Sequence, residues 1–173
     1  MAHNETKKSR SLHEGLITAI AIGGFLILIG LVFSLNPNIT DRISDFFSSM
    51  TSTTYPIGSS TSTIYLPAPT NPAAHSALYS VLLQFDIGFG LLQVIILALR
   101  LFYHSKTDKI AETVGNMIFW LGAAALVSTI LQVGTLQSWF EYWGALIVIV
   151  GISFVARAAV YFIKRKNEPK ETI

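Results

Sequence analysis

Residues 76–102 read SALYSVLLQFDIGFGLLQVIILALRLF, an apolar run with a single carboxylate, Asp86, near its middle. About 20 apolar residues in a helix cross the ~30 Å hydrocarbon core of a bilayer, so this run is predicted to span a membrane. Three further apolar runs cover residues 15–35, 111–132 and 139–163. The sequence therefore predicts an all-α fold, a four-helix transmembrane bundle that forms one membrane domain over residues 1–173.

The composition fits a membrane protein and argues against most catalytic chemistry. Only 13% of residues are charged, about half the usual share in soluble domains, and cysteine is absent. The sequence contains no Walker motif, no Gly-x-Ser-x-Gly nucleophile motif and no Gly-x-Gly-x-x-Gly phosphate loop. We expect no cofactor, no metal, no nucleic-acid partner and no enzymatic activity. A haem or copper site in the bundle would need histidines within the spans. All four histidines lie outside the predicted spans: His3, His13, His75 and His104.

The basic residues predict the orientation. Ten of the twelve lie in three groups, at positions 7–10, 100–109 and 164–170, and four spans bring these groups to one side of the membrane. Because basic residues stay on the cytoplasmic side, both termini are predicted to be cytoplasmic, in a multi-pass protein of the cell membrane. Residues 36–75 then face outward. A cleaved signal peptide is the alternative reading of the first run, although no A-x-A-like site follows Leu35.

The outward loop, 36–75, has two parts. Apolar residues at helical spacing between Asn38 and Met50 predict a short amphipathic helix, lying either on the membrane surface or packed within the loop. From Ser48 to Thr63, eleven of sixteen residues are Ser or Thr, which predicts a mobile loop, with a weak strand signal over 61–66. Asn38-Ile39-Thr40 is a glycosylation sequon, and the outward placement would permit its use.

Asp86 is the sharpest candidate for a functional residue. Tyr79, Asp86, Gln93 and Arg100 recur every seven residues and share one helix face, which we expect to point into the bundle. A charged carboxylate at this depth costs roughly 2.5–3.5 kcal/mol. Asp86 is therefore either a proton or cation site, or a neutral carboxyl that hydrogen-bonds a neighbouring helix. Counting helical rise makes two hydroxyls its candidate partners, those of Ser128 and Thr129.

The fourth span contains a second charged residue, Arg157. Either its side chain reaches to the cytoplasmic interface, or it joins an inner polar cluster with Gln93 and Asn116. At the opposite end of this span, four aromatic residues predict an interfacial belt: Trp139, Phe140, Tyr142 and Trp143.

Two functions fit these features. The first is a non-enzymatic accessory or interaction subunit, whose partners are the lipid bilayer and other membrane subunits or further copies of itself. The second is a small oligomeric transporter or channel, coupled to protons or cations through Asp86. In architecture alone the second is similar to the small multidrug resistance exporters, which have four helices and one membrane carboxylate. Their carboxylate is a glutamate of the first helix, where this chain has none, and the loop 36–75 has no counterpart there.

Overall fold

The computed structural model describes residues 2–56 and 63–166 and is mostly helical. Two short 3-10 turns precede α3 and α5, at Pro72–His75 and Leu131–Val133. The remaining elements, in chain order, are α1 (Ala2–Leu35), α2 (Ile39–Ser48), β1 (Met50–Pro56), β2 (Thr63–Pro69), α3 (Ser76–Phe102), α4 (Thr107–Thr129) and α5 (Leu136–Lys166).

Four of these helices are long and apolar enough to cross a membrane, which confirms the predicted number of spans. The apolar segments are Leu12–Leu35, Pro72–Phe102, Thr107–Val133 and Leu136–Ile163. The first and last helices extend beyond the apolar runs, because flanking polar residues continue the same helical backbone. The polar start of the chain is thus helical from Ala2, although the sequence predicted the first helix only from residue 15.

The long helices pack in the order α1, α3, α4, α5. The most extensive contacts join α3 to α4 and α4 to α5, while α1 packs mainly against α3. Glycines make the α1–α3 approach close, since Leu92 lies against Gly24 and Leu28 against Gly88. At the far end of the same pair, the rings of His13 and Tyr103 stack with centroids 4.4 Å apart.

Part of the Ser/Thr-rich segment forms the first strand of a β-hairpin, where the sequence predicted a mobile loop. β1 and β2 pair antiparallel, from Met50 opposite Pro69 to Pro56 opposite Thr63. The prediction is therefore wrong for residues 50–56, and an all-α description omits this sheet. Threonine is β-branched and favours strands, so the composition that suggested disorder also suits a hairpin once a partner strand is present. The rest of the predicted loop, residues 57–62, lies outside the described residues.

The hairpin covers one end of the helices. Trp139 Nε1 donates a hydrogen bond to the carbonyl oxygen of Pro67, at 3.1 Å, and the ring of Tyr55 lies 4.6 Å from that of Phe140. Trp139 and Tyr142 are therefore buried in the core, and the prediction of an interfacial aromatic belt is wrong for these two residues. The buried cluster beneath the hairpin consists of Ala68, Tyr79, Val127, Leu131, Trp139 and Tyr142.

The short helix α2 lies between the end of α1 and the start of the hairpin. Its first residue, Ile39, is buried in a small cluster with Val32 of α1 and Val81 of α3. Its last turn places the ring of Phe46 against Trp139, with centroids 5.8 Å apart. α2 thus contacts both α1 and α5, the first and last helices of the row. Whether its exposed face touches lipid stays a prediction.

Candidate functional site

Asp86 is buried between α3 and α4, with 2% of its surface exposed. Two contacts set the register of these antiparallel helices. Gln132 Nε2 donates to Ser80 Oγ at 3.0 Å, and Gly90 lies against Leu121. Interpolating between them places Asp86 opposite residues 123–127 of α4. The buried residues of that segment are small or aliphatic: Ala123, Ala124 and Val127.

The Asp86 carboxyl has an unsatisfied oxygen. Oδ2 is buried and has no hydrogen-bond partner among the described residues. The predicted bonds from Ser128 and Thr129 are not formed, because both hydroxyls donate to the carbonyl oxygen of Ala125 in their own helix. Both residues are exposed. Counting helical rise gave the approximate depth of Asp86 but not the face of α4 that meets it.

Two tyrosines extend the polar site toward the hairpin. Tyr79 is 2% exposed, and its hydroxyl likewise has no hydrogen-bond partner in the described part of the chain. Tyr142 of α5 packs in the same buried cluster as Tyr79. One carboxyl and two phenols thus lie among apolar side chains of three helices. Such a group can hold a proton or, once a water enters, a small cation.

The site is closed within a single chain. On the hairpin side, Tyr79 packs with Val127 and Leu131 in the buried cluster. On the opposite side, Leu121 fills the space beside Gly90. Among the described residues, no group of three or more His, Asp or Glu side chains is placed to hold a metal ion. Within the described residues, the geometry therefore shows a buried polar group enclosed by apolar side chains, without a continuous polar path across the helices.

The predicted inner cluster of Gln93, Asn116 and Arg157 is not joined by hydrogen bonds in the described structure. The aliphatic part of Arg157 lies over Gly115, which allows α5 to approach α4. Its guanidinium carbon lies 5.9 Å from the centroid of the Phe154 ring, within the range of a cation–π interaction. Gln93 and Asn116 are both partly buried.

Sequence reasoning missed a second polar contact, at the end opposite the hairpin. Arg100 Nη1 donates to the hydroxyl of Thr113, at 2.6 Å, and to the carbonyl oxygen of Lys109. Thr113 is 1% exposed and donates in turn to the same carbonyl, at 2.8 Å. Arg100 thus fastens the end of α3 to the first turns of α4. The sequence signal for this contact was the position of Arg100 on the same seven-residue stripe as Asp86.

A third polar contact lies under the hairpin. His75 is 9% exposed, and its Nε2 lies 2.8 Å from Ser49 Oγ. Ser49 Oγ also donates to the carbonyl oxygen of Phe46, at 2.8 Å, so the histidine is left to donate to the serine. This contact ties α2 to the turn before α3. Asn38 of the sequon precedes α2 and is exposed, which leaves its amide accessible.

The four long apolar helices define a multi-pass membrane protein. Comparisons of the chain with known protein families, with characterised proteins and with solved structures find no match.

Proposed function

We propose that the protein is a non-enzymatic subunit of the cell membrane that associates with another membrane protein, or with a second copy, through α5. The supporting observation is a stripe on α5 that faces away from α4, here called the α5 outer face: Gly144, Val148, Gly151 and Val155. A methyl group placed on either glycine meets nothing within 4 Å, and the two valines are 60% and 70% exposed.

Glycine on an open face requires an explanation, because glycine disfavours a helix by about 1 kcal/mol relative to alanine. Several other glycines of this fold lie where helices approach closely, as Gly24 and Gly88 do between α1 and α3. Small residues serve this purpose between membrane helices, where backbones approach until they touch. The α5 outer face has the same character and would accept a helix from outside the chain.

The proposed orientation has both termini in the cytoplasm and the hairpin outside. Its support is the distribution of basic residues, since Arg100, Lys106 and Lys109 lie at the end of the helices opposite the hairpin. The chain has no cysteine, so single-cysteine variants test this directly. We expect Ser52→Cys to react with an impermeant maleimide on intact cells and Lys106→Cys to react only after permeabilisation. The reverse pattern would invert the orientation.

The association is tested by affinity purification in mild detergent, followed by mass measurement of the intact complex. Gly151→Trp would block close approach to the α5 outer face, and we expect it to release the partner or the second copy. Ile152→Trp is the matched control, because Ile152 is 48% exposed and lies beside the stripe on the same helix. Equal recovery of the complex from both variants, or a wild-type protein that is always monomeric, would refute the proposal.

A second candidate function, a proton- or cation-coupled transporter, is favoured by one observation. Asp86 is buried, and one of its carboxyl oxygens has no partner in the described structure. In this case an oligomer would supply the missing polar path. The test is proton flux into liposomes, which Asp86→Asn would abolish while Glu141→Gln, a change at an exposed carboxylate, would leave it intact. Flux that survives in Asp86→Asn would exclude this role.

A further inference from the structure

An apolar groove lies between α1, α2 and α3, on the hairpin side of the protein. We call it the α1–α3 groove. Its lining is entirely aliphatic or phenylalanine, with Ile29 from α1, Ile43 from α2 and Leu82 from α3 among the contributing side chains. The groove is open on one side and has a volume of about 230 Å³. An apolar cavity of roughly 150 Å³ is enough to hold benzene, so this groove has room for part of an aliphatic chain.

A polar pocket adjoins the groove at the level of α2. It is lined by Arg42 and Asp45 of α2, by His75, and by Leu78 of α3. Leu78 also lines the α1–α3 groove, so this side chain borders both spaces. The groove offers an apolar surface along the helices, and the polar pocket offers charged groups at the level of α2.

The charges of the polar pocket define what complements it. Arg42 and Asp45 are three residues apart on α2, and no ion pair between them is present in the described structure. A guanidinium binds phosphate well because its planar fork of donors matches two phosphate oxygens. A free carboxylate beside it accepts hydrogen bonds from an ammonium group. The pair therefore suits a headgroup that carries both charges and suits a purely anionic one less well.

The geometry points to a binding site for a zwitterionic phospholipid with a primary ammonium group. Its phosphate would lie on Arg42, its ammonium on Asp45, and one acyl chain in the α1–α3 groove. From Leu78 to Phe85 the groove follows α3 for seven residues, or roughly 10 Å, which accommodates the upper part of such a chain. This inference concerns a surface remote from the α5 outer face and does not depend on the proposed function.

The experiment uses the delipidated full-length protein in detergent, with lipid binding followed by native mass spectrometry. Dioleoyl-phosphatidylethanolamine and dioleoyl-phosphatidylglycerol are the two probes, because they share their chains and differ in the ammonium group. We expect tighter binding of the ethanolamine lipid. Arg42→Gln should weaken both lipids about fivefold, as expected for one charged contact at a partly exposed site. Lys106→Gln is its control, at the opposite end of the molecule.

Two further pairs of variants separate the headgroup from the chain. Asp45→Asn should remove the preference for ethanolamine, whereas Asp41→Asn, at an exposed carboxylate of the same helix, should keep it. Ile29→Trp fills the groove and should abolish binding of both lipids. Ile27→Trp places the same side chain on α1 outside the groove, at a position 65% exposed, and should have no effect.

Three outcomes would overturn the inference: equal or tighter binding of the glycerol lipid, an unchanged preference in Asp45→Asn, or equal binding by Ile29→Trp and Ile27→Trp. Failure to bind either lipid would also overturn the inference, and a polypeptide would then be the alternative occupant of the groove. If Ile29→Trp does not fold, the headgroup variants on exposed positions of α2 still decide the matter.

Discussion

The indole of Trp139 donates a hydrogen bond to the carbonyl oxygen of Pro67, at 3.1 Å. Pro67 lies in β2 and Trp139 in the first turn of α5, so this bond joins the hairpin to a membrane helix across 72 positions of sequence. The indole is 5% exposed and also contacts the ring of Phe46 in α2. One side chain therefore holds three elements together at the hairpin end of the fold.

We expect Trp139→Phe to loosen the hairpin while leaving the helices intact. The change removes the donor and leaves the Pro67 carbonyl without this partner, at a cost of about 1 kcal/mol. Hydrogen exchange of the β1 and β2 amides should accelerate, whereas exchange in α3 and α4 should stay unchanged. Trp143→Phe is the control, since Trp143 is 48% exposed and lies one turn further along the helix. Equal exchange in the two variants would show that the bond does not anchor the hairpin.

Asp86→Leu should raise the stability of the protein in detergent. The buried oxygen of Asp86 has no partner in the described structure, and such a group costs about 1–3 kcal/mol. Leucine has a similar shape and no polar atom, so the change should raise the melting temperature. Asp41→Leu, at an exposed position, should have little effect. A lower melting temperature for Asp86→Leu would mean that a water, an ion or a partner helix stabilises the carboxyl.

The contact between Arg100 and Thr113 leads to a prediction about the opposite end of the fold. Thr113→Val removes the acceptor of the Arg100 guanidinium and should lower the free energy of unfolding by about 1–2 kcal/mol. Thr18→Val is a close control, because both hydroxyls donate to a carbonyl four residues earlier but Thr18 is exposed and contacts no arginine in the described part of the chain. Chemical denaturation measures the free energy of unfolding. A similar loss in the two variants would show that the Arg100 contact does not stabilise the protein.

The sequence was sufficient to predict the four spans, because each apolar run is as long as a bilayer is thick. It also indicated an inward polar stripe, since a seven-residue spacing places Tyr79 and Asp86 on one face, and both are buried. It was not sufficient for the partners of that stripe. Those depend on how far α3 and α4 slide and rotate against each other, which contacts such as Gly90 with Leu121 decide.

Of the hairpin, the sequence indicated only a weak strand over 61–66, which overlaps β2 at 63–66, and the pairing was missed for a different reason. Its strands lack the alternating apolar pattern of a half-buried sheet, and Met50 pairs with a residue, Pro69, that itself suggests a loop. The strands are held by their mutual pairing and by the aromatic residues of α5, both of which are long-range contacts. The same omission made Trp139 resemble a lipid-facing residue, because its partner was not foreseen.

Two glycines give the last prediction, one inside the α4–α5 interface and one on the open face of α5. A methyl group on Gly115 would lie 3.1 Å from the carbonyl oxygen of Ser153 and would press on the stem of Arg157, so Gly115→Ala should force α5 away from α4. We expect a loss of about 1–3 kcal/mol, the usual cost of overpacking. Gly151→Ala meets nothing within 4 Å and should stabilise the isolated chain by up to about 1 kcal/mol, through its better helix propensity.

Thermal unfolding of the two variants, followed in detergent at a protein concentration low enough to keep the chain monomeric, measures both effects. Opposite shifts in melting temperature are expected. Destabilisation by Gly151→Ala in the monomer would mean that α5 uses this face within the chain, and it would remove the support for an external partner there. Stabilisation by Gly115→Ala would contradict the close approach of α4 and α5 at Ser153.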